Sequence, residues 1–344
     1  MTKPILLAFA AMAALAAAPA LGAEAAKGAA YKAPRTAYGD PDLQGLWTNS
    51  SITTLERAPG LTKLAMSEQE AKVAAKATQA MLAANDRASD PKAGAPAAGD
   101  DPGGYNSFWI DLGSQFGKVN GEYRTSWVVD PPNGHVPYSP AGLKQLRDSL
   151  GAPGHRFDGP EVRSLGERCI VGYGSTGGPP MLNVLYNNNY QIVQSPGFVT
   201  IVVEMNHDAR IIRLNDQHLP ASVTPWMGDS VGHWEGDSLV VETTNLNPGQ
   251  RFTADIRHYL YLAPKSKVTE RFTRLGDQEI LYQFKVEEPV AYTQAWRGEI
   301  PMRATKGPMY EYACHEGNYA MPGILAGARA EEKKQSAPAA GGAQ

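Results

Sequence analysis

Three histidines stand beside carboxylates, in settings where proton transfer is the chemistry their residue types allow. His207 lies in Glu204-Met205-Asn206-His207-Asp208-Ala209-Arg210, His233 in His233-Trp234-Glu235, and His315 in Cys314-His315-Glu316. An imidazole changes charge near neutral pH, and a nearby carboxylate can orient it or share its proton. His207 and Asp208 are adjacent and would point to opposite faces of a regular strand; His233 and Glu235 are two apart and would share a face. A fourth group, Tyr186-Asn187-Asn188-Asn189-Tyr190, offers carboxamides and phenol rings to a polar or aromatic ligand. Each segment has a competing reading as a plain surface turn, since Asn, Asp and Gly are turn residues. Taken as chemistry, His207, His315, Glu204 and His233 are the candidate catalytic groups. Asn188, Tyr190, Arg210, Trp226 and Glu316 are the candidate substrate contacts.

Other chemistries lack their signatures. There is no His-Glu-x-x-His and no Gly-x-Ser-x-Gly. Gly172-Tyr173-Gly174-Ser175-Thr176-Gly177-Gly178 is glycine-rich but has no phosphate-loop lysine, and no dinucleotide fingerprint is present. No cofactor is expected. A zinc site on His207, His233 and His315 is an alternative, without regular ligand spacing to support it.

The elements that must hold these residues follow from composition. The chain has 344 residues, a net charge of -3 and only 19% charged residues, which argues against a nucleic-acid partner. With 6 Trp, 15 Tyr and 8 Phe it has the material for a core. Its 35 Gly and 26 Pro are aperiodic and point to many turns. Residues 1–23 read as a signal peptide: Lys3, an apolar run from Ile5 to Ala18, then small residues to Ala23. That run is short for a bilayer span, which needs about 20 apolar residues. A periplasmic or secreted protein with no membrane span in its mature chain is expected. In that oxidising setting Cys169 and Cys314 are expected to pair; a reactive thiol pair is the alternative.

Residues 24–41 read as a disordered lead, 42–330 as a single β-rich domain, 87–104 as a flexible loop, and 331–344 as a disordered tail. Ser67 and Glu70 form a capping box ahead of an Ala-rich helix to Asn85. Ser139-Pro140 opens a second short helix. From Tyr186 to Tyr312 about eight strands follow one another through tight turns, including Gly236-Asp237 and Gly276-Asp277-Gln278, with Met309–Tyr312 the last. No helices alternate with them, so a parallel sheet is not expected. The fold class is therefore mainly β: an antiparallel meander closing into a lipocalin-like barrel or a strongly curved sheet, with two short helices. The first 150 residues are expected to wrap this core. Gly45-Leu46-Trp47 resembles the Gly-x-Trp start of lipocalin-like barrels.

The clusters together carry a resemblance. Asn187 to Gln194, Glu204-Met205 with His207-Asp208, Gly228-Asp229-Ser230 with Trp234 to Asp237, and Tyr312 to Tyr319 resemble a large family of exported bacterial proteins, most of them hypothetical, over roughly residues 42–332. The chain also looks, more loosely, like a γ-formaldehyde lyase of lignin-derived phenylcoumaran dimers. That resemblance implies a cofactor-independent carbon–carbon lyase, a small aromatic substrate, and a stilbene product. Two other classes compete. One is a periplasmic hydrolase of glycosides or esters using Glu204, Glu235 and Glu316. The other is a non-catalytic lipocalin-like binder of small aromatic ligands.

Overall fold

Alternation of buried and exposed residues runs along strand after strand, and it closes a barrel. The computed structural model describes residues 31–85, 92, 110–149, 155–172, 174–249, 251–253, 259–262 and 264–336. The expected signal peptide, most of the 87–104 loop and the end of the tail lie outside the described residues. The chain divides into Met1–Lys32 and Ala33–Gln344, and every strand and helix named here belongs to the second unit.

The strands are β1 (Gly45–Thr48), β2 (Ala65–Met66), β3 (Lys118–Val119), β4 (Glu122–Arg124), β5 (Val128–Asp130), β6 (Asn189–Ser195), β7 (Phe198–Val203), β8 (Ala209–Leu214), β9 (Asp229–Glu235), β10 (Ser238–Thr244), β11 (Arg251–Thr253), β12 (Tyr259–Tyr261), β13 (Lys267–Gly276), β14 (Glu279–Glu287) and β15 (Trp296–Ala304). Helices α1 (Glu68–Asn85), α2 (Pro140–Ser149) and α3 (Ala320–Ser336) complete the described elements. The main sheet runs β1-β6-β7-β8-β9-β10-β13-β14-β15, and β1 pairs back onto β15, so nine strands form a closed barrel. β5 adds to the side of β15.

The barrel bears out the mainly β reading, with differences. β8 and β9 pair in parallel, Arg213 opposite Val231, because residues 215–228 cross from one end of the barrel to the other before β9 begins. The remaining barrel pairs are antiparallel, and the turns at Gly236-Asp237 and Gly276 to Gln278 fall where expected. β1 falls where Gly45-Leu46-Trp47 suggests a barrel start and joins the barrel, although the rest of the first 150 residues is expected only to wrap it. Met309–Tyr312 is not a strand; Tyr310 gives its N–H to the Glu204 carboxylate instead of to a neighbouring backbone. The sequence predicts no order for residues 33–41, but Thr36 and Asp40 close a turn and the Gln194 amide holds the Pro41 carbonyl at 3.0 Å. α3 is a third helix, and it runs into the stretch expected to be disordered. The expected helices are in place. Ser67 and Glu70 cap α1 reciprocally, and the Ser139 hydroxyl accepts the Gly142 N–H at 2.9 Å at the start of α2.

Inward positions fill the barrel. Tyr190, Ile192, Val199, Ile201, Ile212, Leu239, Phe272, Tyr282, Phe284 and Ile300 are all buried. Gly298 faces Phe284 across the β14–β15 pair, and a Cβ there would lie 2.2 Å from the ring, so only glycine leaves room for it. A polar layer crosses this interior. Arg210 forks onto Glu270 at 2.9 and 2.6 Å, Tyr282 donates to the same carboxylate at 2.7 Å, and Ser230 and Thr243 lie beside the guanidinium. A buried ion pair is tolerable only with such bidentate geometry and added hydrogen bonds. Over it lies the glycine- and proline-rich segment, whose described residues from Val171 to Val184 are all buried. Met181 gives its N–H to the Tyr282 hydroxyl at 2.9 Å, and Leu182 packs in the core. The segment reads in sequence as loop, and it serves as core.

Candidate functional site

The β7–β8 connection is where most of the sought chemistry gathers. It is a single 3-10 turn, Met205–His207, with Asn206 and His207 at φ 60° and 47°. Two successive left-handed residues are unusual outside glycine, and Asn and His are among the types that tolerate that region best. The turn is closed by the Val203 N–H to the Asp208 carbonyl at 2.8 Å.

Glu204 is the hub. Its side chain is buried; one oxygen accepts the Tyr310 N–H at 2.8 Å and the other the Asn189 amide at 2.7 Å. It thereby joins the turn, the start of β6 and the segment leading to Cys314. Asp208 makes the second junction. It accepts the Gly172 N–H at 2.6 Å and the Asn206 amide at 3.2 Å. Burial lifts the Asp208 carboxyl above its ordinary value, against the pull of those two donors and of His207. The Thr176 hydroxyl is buried under the same glycine-rich segment without a protein partner, and a Cβ on Gly172 would meet both it and Asp208.

Three residues beyond Gly172 towards the N-terminus, Cys169 is disulfide-bonded to Cys314, with Cα atoms 5.7 Å apart. The expected pairing is present. It pins the turn carrying His315 and Glu316, both exposed, to the segment that holds Asp208. His207 is also exposed. The bonds Glu204–Tyr310, Asp208–Gly172 and Cys169–Cys314 therefore tie the His207 turn and the His315 turn into one neighbourhood. Beside the disulfide lies a cleft of about 280 Å³ lined by Tyr312, Asn318, Met321 and Ile324 among others.

The other expected site residues lie elsewhere. His233 and Glu235 do share a face, 3.1 Å apart, but on the outer surface near the β9–β10 turn. β8 and β9 run parallel, so that turn is at the opposite end of the barrel from His207. Asn188 is buried and committed to structure, accepting the Val184 N–H and donating to the carbonyls of Asp111 and Val184. Tyr190 is buried with its hydroxyl on Asn49, and burial drives its ionisation well above the usual range. Arg210 belongs to the interior pair with Glu270. Trp226 is part-exposed on the crossing segment against Gly249.

Asp111 is the residue that the sequence did not flag. It sits half-buried next to Glu204 and Ser50, its backbone fixed by Leu185 and Asn188. Burial first and the neighbouring Glu204 second raise its carboxyl. Nothing in Ile110-Asp111-Leu112-Gly113 marks it, because its partners are distant in the chain. Asp229, which the sequence marks only as part of the Gly228-Asp229-Ser230 motif and not as a site residue, is a buried carboxylate. It is held below the ordinary range against its burial by Arg213, with His218 at 2.8 Å and the Leu219 N–H at 2.9 Å. These bonds fasten the crossing segment to the barrel.

Among the described residues no group of three or more His, Cys, Asp and Glu side chains is placed to hold a metal, and no helix is long and apolar enough to cross a membrane. No family model matches the chain, and neither a curated protein nor a solved structure matches it.

Proposed function

We propose that the protein is a cofactor-independent lyase, of the aldehyde-releasing type, acting on a lignin-derived phenylcoumaran-type aromatic dimer at the barrel end built around Glu204. The supporting observation is that the exposed His207 shares one tight turn with Asp208, whose carboxyl is raised by burial, while Asp111, also raised, lies against the buried Glu204 at the start of that turn. Such a site offers a proton donor and a proton acceptor together, which is what enzymes obtain by setting the environments of paired groups apart. His207 takes the proton of the substrate's primary alcohol. The carbon–carbon bond to the hydroxymethyl carbon breaks, formaldehyde leaves, and its electron pair becomes the new double bond. The benzylic carbon–oxygen bond breaks in the same step, and the Asp208 carboxyl, which burial makes the better holder of a proton, is the group that returns one to the departing phenolate oxygen. Atoms and electrons balance without an oxidant. A binder with its ligand inside the barrel is less well supported, since the inward positions are filled by the chain's own side chains. The disulfide fits an oxidising compartment, and we place the protein in the periplasm or outside the cell.

The test is incubation with a panel of phenylcoumaran dimers, reading formaldehyde and stilbene absorbance. Turnover is expected in the wild type and a loss of at least a hundredfold in His207→Gly and Asp208→Asn. Glycine suits the φ of 47° at that position, so His207→Gly should keep the fold. Silence of the wild type across the panel, or full activity in both variants, would sink the reading.

A further inference from the structure

The cleft beside the disulfide has a wall whose chemistry selects a ligand. α3 contributes Ala320, Met321 and Ile324, and Tyr312, Cys314 and Asn318 face them. Along α3, Met321 and Ile324 are half-buried and line the cleft, while Leu325 and Ala328 are half-buried beyond it. The polar groups of the wall are already satisfied from within the protein. Glu167 has one oxygen on Arg163 at 2.6 Å and the other on the Ser164 N–H and hydroxyl at 3.0 and 2.9 Å. Asn318 accepts the Ala320 N–H at 3.3 Å and points its amide at the Cys169 sulfur. What remains to meet a ligand is apolar and aromatic surface. Size narrows the choice further. An apolar cavity of about 150 Å³ holds a benzene ring, and sites for drug-sized ligands start near 300 Å³. A cleft of about 280 Å³ has room for one substituted ring.

We propose that the cleft between α3 and the Cys169–Cys314 disulfide is a subsite for a single neutral aryl ring. Cys314 and Asn318 flank the His315–Gly317 turn, so the cleft adjoins the backbone that carries His315. This deepens the lyase reading: the ring held here is the one that does not react, and the helix wall sets which substituents it can carry. The ring's role in turnover rests on that reading, but its binding does not.

The experiment uses the full chain and 2-methoxyphenol as a single-ring probe, followed by calorimetry and ligand-observed NMR. Saturable one-site binding is expected in the wild type. Ile324→Arg, which places a long charged side chain in the cleft, should weaken it at least tenfold, and Met321→Trp, which fills the same space without charge, should do the same. Ala330→Arg, on the exposed side of α3, should leave it unchanged. Circular dichroism melts check that each variant is folded. Absence of saturable binding to the wild type, or equal binding by folded Ile324→Arg and Met321→Trp, overturns the subsite. The two readings fail separately. Ring binding without formaldehyde from any dimer removes the lyase and keeps the subsite. Dimer turnover with a KM unchanged in Ile324→Arg removes the subsite and keeps the lyase.

Discussion

Asp111 and Glu204 show how one carboxylate can prepare another. Glu204 has both oxygens occupied by N–H donors, while Asp111 beside it is half-buried and lies next to that charge. The consequence for stability has a definite sign. A carboxyl ordinarily loses its proton near pH 4. Between that value and its raised one, the folded protein still holds a proton on Asp111 that the unfolded chain has released. Stability therefore falls as pH rises through that window, and the loss persists above it. Asp111→Asn removes the titration and keeps the shape. Urea unfolding should show the variant gaining stability over the wild type at pH 7 relative to pH 3; an equal difference at both pH values would show that Asp111 is not raised. None of this is legible in the sequence, where Asp111 is a lone acid in a loop. His207 and Glu204 could be picked out because they are close in sequence and differ in type. Tyr310 and Asp111, the partners of Glu204, and Gly172, the partner of Asp208, are brought to them only by the fold.

At the scale of elements, legibility follows locality. The hairpins β6–β7, β9–β10 and β13–β14 announce themselves by alternation and by Gly-containing turns; the structure places β6–β7 and β13–β14 within a residue, while β9 starts at Asp229, four residues before the expected His233. The parallel β8–β9 pair and the buried 171–184 segment do not, because each depends on a chain crossing that has no local signal. α3 was obscured by Pro322, Gly323 and Gly327 among alanines, residues that depress helix propensity in the first turns. The disulfide was inferable from count and compartment alone, and its work can be measured. It links positions 145 apart in sequence. Cys169→Ala with Cys314→Ala should destabilise by about 2–5 kcal/mol, the usual cost of losing a native bridge. Eight barrel strands lie between the two cysteines in sequence, but the bridge itself joins the 169–172 and 310–318 segments outside the strands, so the loss should first appear as faster amide exchange at Gly172 and Tyr310, before β13 or β14. Uniform loss of protection would mean that the bridge supports the whole barrel and not the site.

The whole molecule depends on a short strand to close. β1 spans only Gly45–Thr48, yet it pairs with β6 over its full length and with β15 through Trp47 and Thr48. Removing it would leave a curved sheet with β6 unpaired at one edge and β15 covered only by the short β5 at the other, a form that invites aggregation. Trp47 holds the closure. Its ring is buried, its indole N–H donates to the Leu43 carbonyl at 2.9 Å, and the Arg274 guanidinium lies over it 5.6 Å from the ring centre. Truncating a buried tryptophan costs about 3–5 kcal/mol, against a total stability on the order of 5–15 kcal/mol for a typical domain. Trp47→Ala is therefore expected to lower the urea midpoint by a large fraction. The barrel is closed by this strand, so the damage should also have a direction: amides of β1, β6 and β15 should exchange through partial opening, while β9 and β10, opposite the seam, exchange only when the whole protein unfolds. Native-state hydrogen exchange of the variant reads this directly. A loss below about 1 kcal/mol, or opening shared equally by all nine strands, would mean that the barrel is held shut by its packed interior, the Arg210–Glu270 layer and the segment above it, and that β1 merely covers the gap.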